Sequence, residues 1–235
     1  MIATLETQVV GKEQLKVPNF GVMMVKPHAH SWGFPTLLQQ CIDGEIVLES
    51  PFVNHILTSG AVKVVKTLIR NLSQETKGMC PVEVIYAESI GTPYFEILKN
   101  CYRGDVTVFV VESTLEESEL QRFFKEFKGC VGLVDDSGTV VKQASGVRGN
   151  FLEKRPFVSD DELNAMSTSE YAEAIEPILN NLLHTTDNFY ETARLLNLIL
   201  SDYDARELLS RRIDVKAFIS ENYPTTLKKY EENEI

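Results

Sequence analysis

The run DVTVFVVE, at positions 105–112, constrains the fold of this chain more than any other stretch. Its apolar residues follow one another without polar alternation, which is typical of a central strand covered on both faces. The run FGVMMV (20–25) is also apolar and stops at Lys26-Pro27, so it predicts a second buried strand. Strands of this kind need helices packed over the sheet, and an α/β or α+β fold is therefore expected.

Helix and turn signals lie between and after these strands. Thr92-Pro93 predicts an N-cap and a first-turn proline, while Thr114–Glu117 and Ser159–Glu162 fit capping boxes. Asn188, with Glu191 three residues on, predicts a further cap. Further strands are expected at 45–50 and 82–88, and a hairpin at 130–143 around Asp136-Ser137-Gly138. Helices are expected at 34–42, 52–77 and 93–102. Two more helices should run from the capping boxes to about 127 and about 180, and most of 188–221 should also be helical.

Charge and cysteine usage narrow the classes of function. The chain has 23 Lys and Arg against 34 Asp and Glu, a net charge of −11. This balance argues against a protein that covers nucleic-acid phosphates with cations, although a small anionic ligand needs only a local positive cluster. The four cysteines, Cys41, Cys80, Cys101 and Cys130, form no CxxC pair and are expected to be free thiols in a reducing compartment.

Length and hydropathy favour one domain over 1–235 that stays in solution. Hydrophobic residues make up 43% of the 235 residues, enough for a substantial core. No apolar run approaches the roughly 18 residues of a membrane helix, and MIATLETQVVGKEQ contains no apolar signal core. A cytoplasmic protein without a membrane partner is expected. The last residues, KKYEENEI, predict a frayed polar tail.

Four side chains are candidates for chemistry, although each has a commoner structural explanation. His184 follows two leucines, and neutral imidazole is a good nucleophile near neutral pH. Lys26 ends a buried strand and could meet a phosphate at the sheet edge, as could Arg148 in the glycine-flanked GVRGNF. Tyr94, after a helix start, could stack on a base. Alone, they are more often surface or core residues.

Two further patterns favour structural roles. His28 and His30 could be a metal pair, but two histidines without a third ligand rarely form a site. The apolar stripe near the C-terminus is typical of a helix face in a core or interface rather than of a cofactor site. It consists of Leu195, Leu196, Ile199 and Leu200.

Five blocks, in this order, resemble motifs of the nucleoside diphosphate kinases. The family's Lys-Pro-Asp-Ala reads Lys26-Pro27-His28-Ala29 here, and a tyrosine followed eight residues later by an aromatic at a proline-led helix start reads Tyr86 and Tyr94. The remaining blocks are Gly104–Glu112 for the family strand G-P-V-V-x-x-V-x-E, Val147-Arg148-Gly149-Asn150-Phe151 for I-R-G-D-F, and Asn181-Leu182-Leu183-His184-Thr185-Thr186-Asp187-Asn188 for N-x-x-H-G-S-D-S. Together they span residues 20 to about 195.

The resemblance implies a role for each matching residue. His184 aligns with the histidine that accepts the phosphate, and Lys26 and Arg148 with side chains that hold nucleotide phosphates. Tyr94 aligns with the aromatic that stacks on the base. Asn181 aligns with a residue that contacts the ribose and phosphate, and Tyr86 with a tyrosine near the phosphates. Glu88 falls at the position of the acidic residue beside the histidine, and Asp187 has a supporting role. Arg122 matches a second phosphate-binding arginine if one residue is inserted before it.

The implied activity is transfer of the γ-phosphate of a nucleoside triphosphate to a nucleoside diphosphate through a phosphohistidine. The implied fold is a ferredoxin-like sandwich, with an antiparallel sheet covered by helices. Nucleoside tri- and diphosphates are the implied partners, with no nucleic acid. Mg²⁺ is implied as a cofactor held mainly by the nucleotide phosphates, with no direct protein ligand. A homo-oligomer is also implied.

Departures from the family pattern keep a second hypothesis open. Extra residues near 51–80, 125–145 and 152–180 predict helical insertions, and the loop that closes over the nucleotide has no clear counterpart in 128–146. His28 replaces an aspartate, Asn188 a serine, and Thr185 a glycine, so a left-handed backbone at Thr185 would be strained. The alternative is a weakly active or inactive nucleotide-binding or interaction module with the same fold.

Overall fold

The computed structural model describes residues 18–30, 32–179 and 181–223. The predicted polar tail at 228–235 lies outside these residues. Within them the chain alternates short strands with helices. The strands are β1 (Asn19–Val25), β2 (Val62–Arg70), β3 (Val106–Ser113), β4 (Leu133–Val134), β5 (Val140–Lys142), β6 (Arg155–Pro156) and β7 (Leu183–Thr185). The helices are α1 (Pro27–His30), α2 (Phe34–Ile42), α3 (Pro51–Ser59), α4 (Pro81–Ile85), α5 (Pro93–Cys101), α6 (Glu117–Lys128), α7 (Gly146–Phe151), α8 (Asp160–Ala165), α9 (Thr168–Leu179), α10 (Phe189–Ile199), α11 (Asp202–Ser210) and α12 (Val215–Asn222).

A four-stranded antiparallel sheet with the order β2-β3-β1-β7 forms the centre of the fold. The two strands with continuous apolar runs, β1 and β3, occupy the middle and pair along their whole length, from Asn19 opposite Ser113 to Val25 opposite Thr107. This confirms the predicted buried strands and the ferredoxin-like sandwich of antiparallel sheet and helices.

Each face of the sheet has its own core, because alternate residues of a strand point to opposite sides. Val22 and Met24 of β1 pack with the predicted apolar stripe of α10, which confirms that stripe as a core face. Met23 and Val25 pack on the other side with residues of α2, α3 and α6, including Phe123. A third, smaller cluster joins α5 to α9 through Leu98, Ile175 and Leu179.

The predicted hairpin at 130–143 is confirmed as part of a second, small sheet. In this sheet β4 pairs antiparallel with β5 and parallel with β6, and Asp135 closes the turn by accepting hydrogen bonds from the backbone N–H groups of Ser137 and Thr139, 2.9 Å each. Cys130 and Ser145 form a bridge at the base of the hairpin. The hairpin therefore leads directly from the end of α6 into α7.

Three of the predicted elements are wrong. Segment 45–50 is irregular, and residues 62–70 of the predicted helix 52–77 form strand β2. Val62 packs in the core on one side of the sheet, and Val65 and Leu68 pack in the core on the other side. Val65 and Leu68 share a face although they are three apart, because the pairing register shifts between Val64 and Lys66. A bulge of this kind gives a strand the three-residue spacing of a helix.

The predicted strand at 82–88 is instead the short helix α4 followed by a 3₁₀ turn, Ala87–Ser89. Pro81 occupies the first turn of α4, where its fixed φ favours a helix and its missing N–H costs nothing. In this segment the start signal outweighs the β-branched side chains of VEVI.

The predicted helix caps agree with the structure except at one position. Thr92, Ser159 and Asn188 each accept a hydrogen bond from a backbone N–H three residues on, and Ser159 forms the complete capping box with Glu162. The box predicted at Thr114 is wrong, because α6 begins three residues later with Glu116 as an N-cap that makes no side-chain hydrogen bond. The segment predicted as an insertion at 152–180 contains α8 and α9.

Candidate functional site

His184 lies on the edge strand β7, opposite Met24 of β1, and only 9% of its surface is exposed. Each ring nitrogen has one polar neighbour. Nδ1 is 3.4 Å from the hydroxyl of Tyr86, and Nε2 is 3.4 Å from the Oε1 atom of Glu191. The Tyr86 hydroxyl also lies 3.1 Å from that of Tyr102, so the imidazole is held between an acid and a tyrosine pair.

The surroundings of His184 favour the neutral imidazole. Burial lowers its pKa well below the usual value, and the positive charges of Lys128, Lys26 and Arg148 act in the same direction, against the opposite effect of Asp187. A neutral imidazole keeps a lone pair on one ring nitrogen, which is the form needed for attack on phosphorus.

The backbone just before His184 is held in place by the two predicted phosphate-binding cations. The N–H of Lys26 donates to the carbonyl of Leu182 at 2.8 Å. The guanidinium of Arg148 donates to the carbonyls of Asn181 at 3.1 Å and Leu183 at 2.8 Å. Arg148 therefore orients the segment that carries His184, besides placing positive charge beside it.

Backbone strain lies two residues before His184 rather than directly after it. Leu182, fully buried, has φ of 71°, a left-handed conformation that costs a residue with a Cβ of order 1 kcal/mol or more. Thr185 belongs to β7 and does not have positive φ. The strain expected at Thr185 is thus absent, because β7 keeps that residue extended.

Lys26 is buried rather than presented at the sheet edge. It is 2% exposed, and its ammonium donates to the carbonyl of Leu179 at 2.5 Å and lies 5.3 Å from the centre of the Tyr102 ring. Burial, partly offset by Cys101, lowers the pKa of Lys26 to about 7, and Arg148 and Lys128 add to the lowering. In the described structure, the carbonyl at the end of α9 is therefore the hydrogen-bond partner of this ammonium.

Tyr94, the predicted base-stacking residue, is also in contact with the α9 region. It packs in the cluster between α5 and α9 together with Tyr171 and Ile175. Burial, with a smaller contribution from Tyr171, raises the pKa of the Tyr94 hydroxyl. Its ring contributes to the attachment of α9.

Glu191 is a site residue that the sequence reasoning did not identify. It is the third residue of α10, where Asn188 caps its N–H at 2.7 Å, and its carboxylate accepts from the N–H of Asp187 at 2.8 Å and reaches His184. Burial raises the pKa of Glu191 to about 7, offset in part by the Asp187 N–H and Lys128. The predicted cap at Asn188 was the available signal, because a glutamate at this position turns back toward the residues before its helix.

Lys128 was also missed, and no sequence signal marks it. It is the last residue of α6, its side chain is 18% exposed, and its ammonium lies 3.9 Å from the carboxylate of Asp187. Burial lowers the pKa of Lys128, and Arg148 adds to the effect while Asp187 opposes it. Lys128 thus places a cation against the residue three positions after His184.

Two of the predicted site residues lie elsewhere. Arg122 pairs with Glu126 at 2.8 Å and its guanidinium lies 4.0 Å from the centre of the Phe52 ring, on the side of α6 that faces α3. Glu88 is exposed in the 3₁₀ turn after α4. Lys128, which lies against Asp187, and Glu191, which lies against His184, are nearer to the candidate nucleophile in sequence and contact.

The described part of the chain contains no group of three or more His, Cys, Asp or Glu side chains placed to hold a metal ion. His30, one member of the possible metal pair, instead accepts a hydrogen bond from the N–H of Thr107 at 3.0 Å. Among the same residues, none of the helices combines the length and apolar character needed to cross a membrane.

Solved structures of nucleoside diphosphate kinases resemble this fold at low sequence identity. The Borrelia burgdorferi enzyme with bound vanadate and ADP is 14% identical, with a TM-score of 0.50 over 80% of this chain and 90% of its own. The Halobacterium salinarum enzyme in complex with CDP is 17% identical, with a TM-score of 0.46 over 80% and 90% of the two chains. No protein-family model and no curated protein matches the sequence. The likeness to the Borrelia burgdorferi structure shows the fold alone.

Proposed function

We propose that this chain transfers the γ-phosphate of a nucleoside triphosphate to a nucleoside diphosphate through His184. The observation that carries the proposal is the placement of cationic residues along the backbone around the buried His184. The Arg148 guanidinium and the Lys26 N–H bond to carbonyls just before it, and the Lys128 ammonium lies against Asp187 just after it. Phosphoryl transfer asks for an aligned nucleophile and positive charge around the transferred group, and little further covalent chemistry.

The contacts of His184 indicate which nitrogen attacks. We assign the proton of the neutral ring to Nε2, which lies 3.4 Å from the Glu191 carboxylate, and this leaves the lone pair on Nδ1. Attack forms an N–P bond while the bond from the γ-phosphorus to the bridging oxygen breaks, and the electron pair leaves with the nucleoside diphosphate. A second diphosphate reverses these steps. Mg²⁺ would enter with the nucleotide phosphates and offset their charge.

Substrate binding requires α9 to move away from Lys26. In the described conformation the Lys26 ammonium is bonded to the Leu179 carbonyl, and Tyr94 packs against the α9 cluster. A polyphosphate that replaced the carbonyl would supply negative charge and favour the protonated ammonium. These contacts of α9 also favour the second candidate, a nucleotide-binding or interaction module without turnover, because they occupy the Lys26 ammonium.

The two candidates differ in an exchange assay with ATP and GDP. We expect GTP to form with ping-pong kinetics, because the enzyme releases ADP before GDP accepts the phosphate. The His184→Asn variant, purified in the same way, measures the GTP formed by contaminating kinases, and this blank is subtracted. ATP binding without GTP formation above that blank would reject the transfer activity and leave the binding module.

A further inference from the structure

Tyr102 is a buried tyrosine that contacts two residues of the candidate site. It directly follows α5, where its backbone N–H donates to the carbonyl of Lys99 at 3.2 Å, and its ring belongs to the core between the sheet and α10. The centre of the ring lies 5.3 Å from the ammonium of Lys26. The hydroxyl lies 3.1 Å from the hydroxyl of Tyr86. Tyr102 is outside the five blocks that resemble the kinase motifs.

Packing alone does not explain the hydroxyl of Tyr102. The residue is completely buried, and a buried hydroxyl costs free energy unless it forms a hydrogen bond. A phenylalanine would fill the same space without that cost. In the described part of the chain, the Tyr86 hydroxyl is the hydrogen-bond partner of the Tyr102 hydroxyl. The contact with Tyr86 is therefore what the hydroxyl contributes.

The hydrogens of the two tyrosines and of His184 can be placed in one consistent order. Burial raises the pKa of both tyrosine hydroxyls, so each keeps its proton at neutral pH. With the proton of the His184 ring on Nε2, the Nδ1 atom accepts from the Tyr86 hydroxyl across 3.4 Å. The oxygen of Tyr86 in turn accepts from Tyr102. In this order each hydroxyl proton has an acceptor.

This order places the Tyr86 O–H on the lone pair that would attack phosphorus. The O–H has to turn from Nδ1 of His184 to an oxygen of the arriving γ-phosphate before the N–P bond forms. Its oxygen can stay in place during this turn, because Tyr102 continues to donate to it. Donation by Tyr102 also polarises the Tyr86 O–H and strengthens its new hydrogen bond to the phosphate. Neither tyrosine loses its proton in the transfer.

We propose that Tyr102 is a positioning residue for phosphoryl transfer, and that its hydroxyl holds the oxygen of Tyr86 so that the Tyr86 O–H can pass from His184 to the phosphate. The inference rests on the proposed function, because it assigns Tyr102 a part in that reaction. Tyr86 touches the nucleophile directly, whereas Tyr102 acts only through Tyr86.

Tyr102→Phe removes the hydroxyl and keeps the buried ring beside Lys26, so the variant should stay folded by circular dichroism. We expect phosphorylation of His184 by γ-labelled ATP, followed in single turnovers by rapid quench, to slow roughly tenfold, the effect of one hydrogen bond. ADP affinity, measured by calorimetry, should stay within about twofold. Tyr203→Phe removes an exposed hydroxyl on α11. It is the matched control and should leave both quantities unchanged.

Two further readouts separate positioning from a structural role. Tyr86→Phe should also slow the phosphorylation, and adding Tyr102→Phe to it should cause no further loss, because the effect of Tyr102 passes through Tyr86. The second readout is the NMR signal of the His184 Nδ1 atom in isotopically labelled, unphosphorylated protein. Tyr102→Phe and Tyr86→Phe should both shift this signal, and Tyr203→Phe should not.

The outcomes distinguish this inference from the proposed function. Absence of label from the wild-type protein would overturn the proposed function, and this inference with it. If the wild-type protein is labelled, three results would each overturn the inference alone. These are an unchanged phosphorylation rate in Tyr102→Phe or Tyr86→Phe, an equal loss from Tyr102→Phe with and without the Tyr86 hydroxyl, and an unshifted Nδ1 signal in Tyr102→Phe.

Discussion

Replacing Ile175 by aspartate is expected to tighten ADP binding by roughly 10- to 100-fold. Ile175 is 7% exposed and belongs to the small cluster that holds α9 on α5. Burial of an isoleucine contributes about 1.5 to 3 kcal/mol, and a carboxylate there would oppose reburial. Release of α9 frees the Lys26 ammonium from the Leu179 carbonyl. The apparent affinity for ADP rises with the fraction of molecules in which α9 is released, because only these can bind ADP. Isothermal titration calorimetry with ADP measures the change.

Ser169→Asp is the matched control, because it adds the same carboxylate on the exposed side of α9. It should leave ADP affinity within twofold of the wild type (a difference under about 0.4 kcal/mol). A second readout is acetylation of Lys26, which should increase in Ile175→Asp alone. If Ile175→Asp stays folded by circular dichroism and binds ADP no better than the control, α9 does not limit access to the site.

Gly129→Ala is expected to lower the free energy of unfolding by about 3 kcal/mol or more. Gly129 ends α6 with φ 63° and ψ −158°, a conformation almost restricted to glycine. A Cβ atom there would lie 1.9 Å from the carbonyl oxygen of Ser145 and 2.7 Å from the Cα atom of Gly146. Because these neighbours are backbone atoms, the clash can be relieved only by moving the hairpin base away from α6. Urea unfolding followed by circular dichroism measures the loss.

Gly138→Ala separates the clash from the cost of positive φ. Gly138 has φ 81° in the hairpin turn, and a Cβ atom there would meet nothing within 4 Å. Its expected cost is about 1 kcal/mol, from the backbone conformation alone. Equal losses in the two variants would show that the approach of Ser145 to Gly129 is not present in solution. The position matters for the site, since Gly129 joins Lys128 to the segment that carries Arg148.

The central strands and most caps could be predicted from sequence because their causes are local. A continuous apolar run such as that of β3 is stable only as a strand buried on both faces. The Asn188 cap depends only on Asn188 and on the N–H of Glu191, three residues later. Strand β2 was predicted as a helix because its bulge against β3 produces helical spacing. That bulge depends on pairing with a distant segment, which periodicity along the chain does not contain.

The site was predictable where its residues lie in ordered motifs. His184, Lys26 and Arg148 come from distant blocks, and in the structure the Lys26 N–H and the Arg148 guanidinium both bond to backbone carbonyls just before His184. Lys128 lies outside any motif and reaches the site only because α6 ends beside β7. The covering of Lys26 by α9 was equally unpredictable, because the bond to the Leu179 carbonyl depends on tertiary packing.

The location of the transferred phosphate tests the central claim most directly. After incubation with γ-labelled ATP, the account predicts an acid-labile, alkali-stable phosphate on the peptide that contains His184, discharged by a nucleoside diphosphate. His184→Asn should lose it, whereas His55→Asn, which changes an exposed histidine of α3, should keep it. Label that survives in His184→Asn, or that maps to a hydroxyl side chain, would contradict the account.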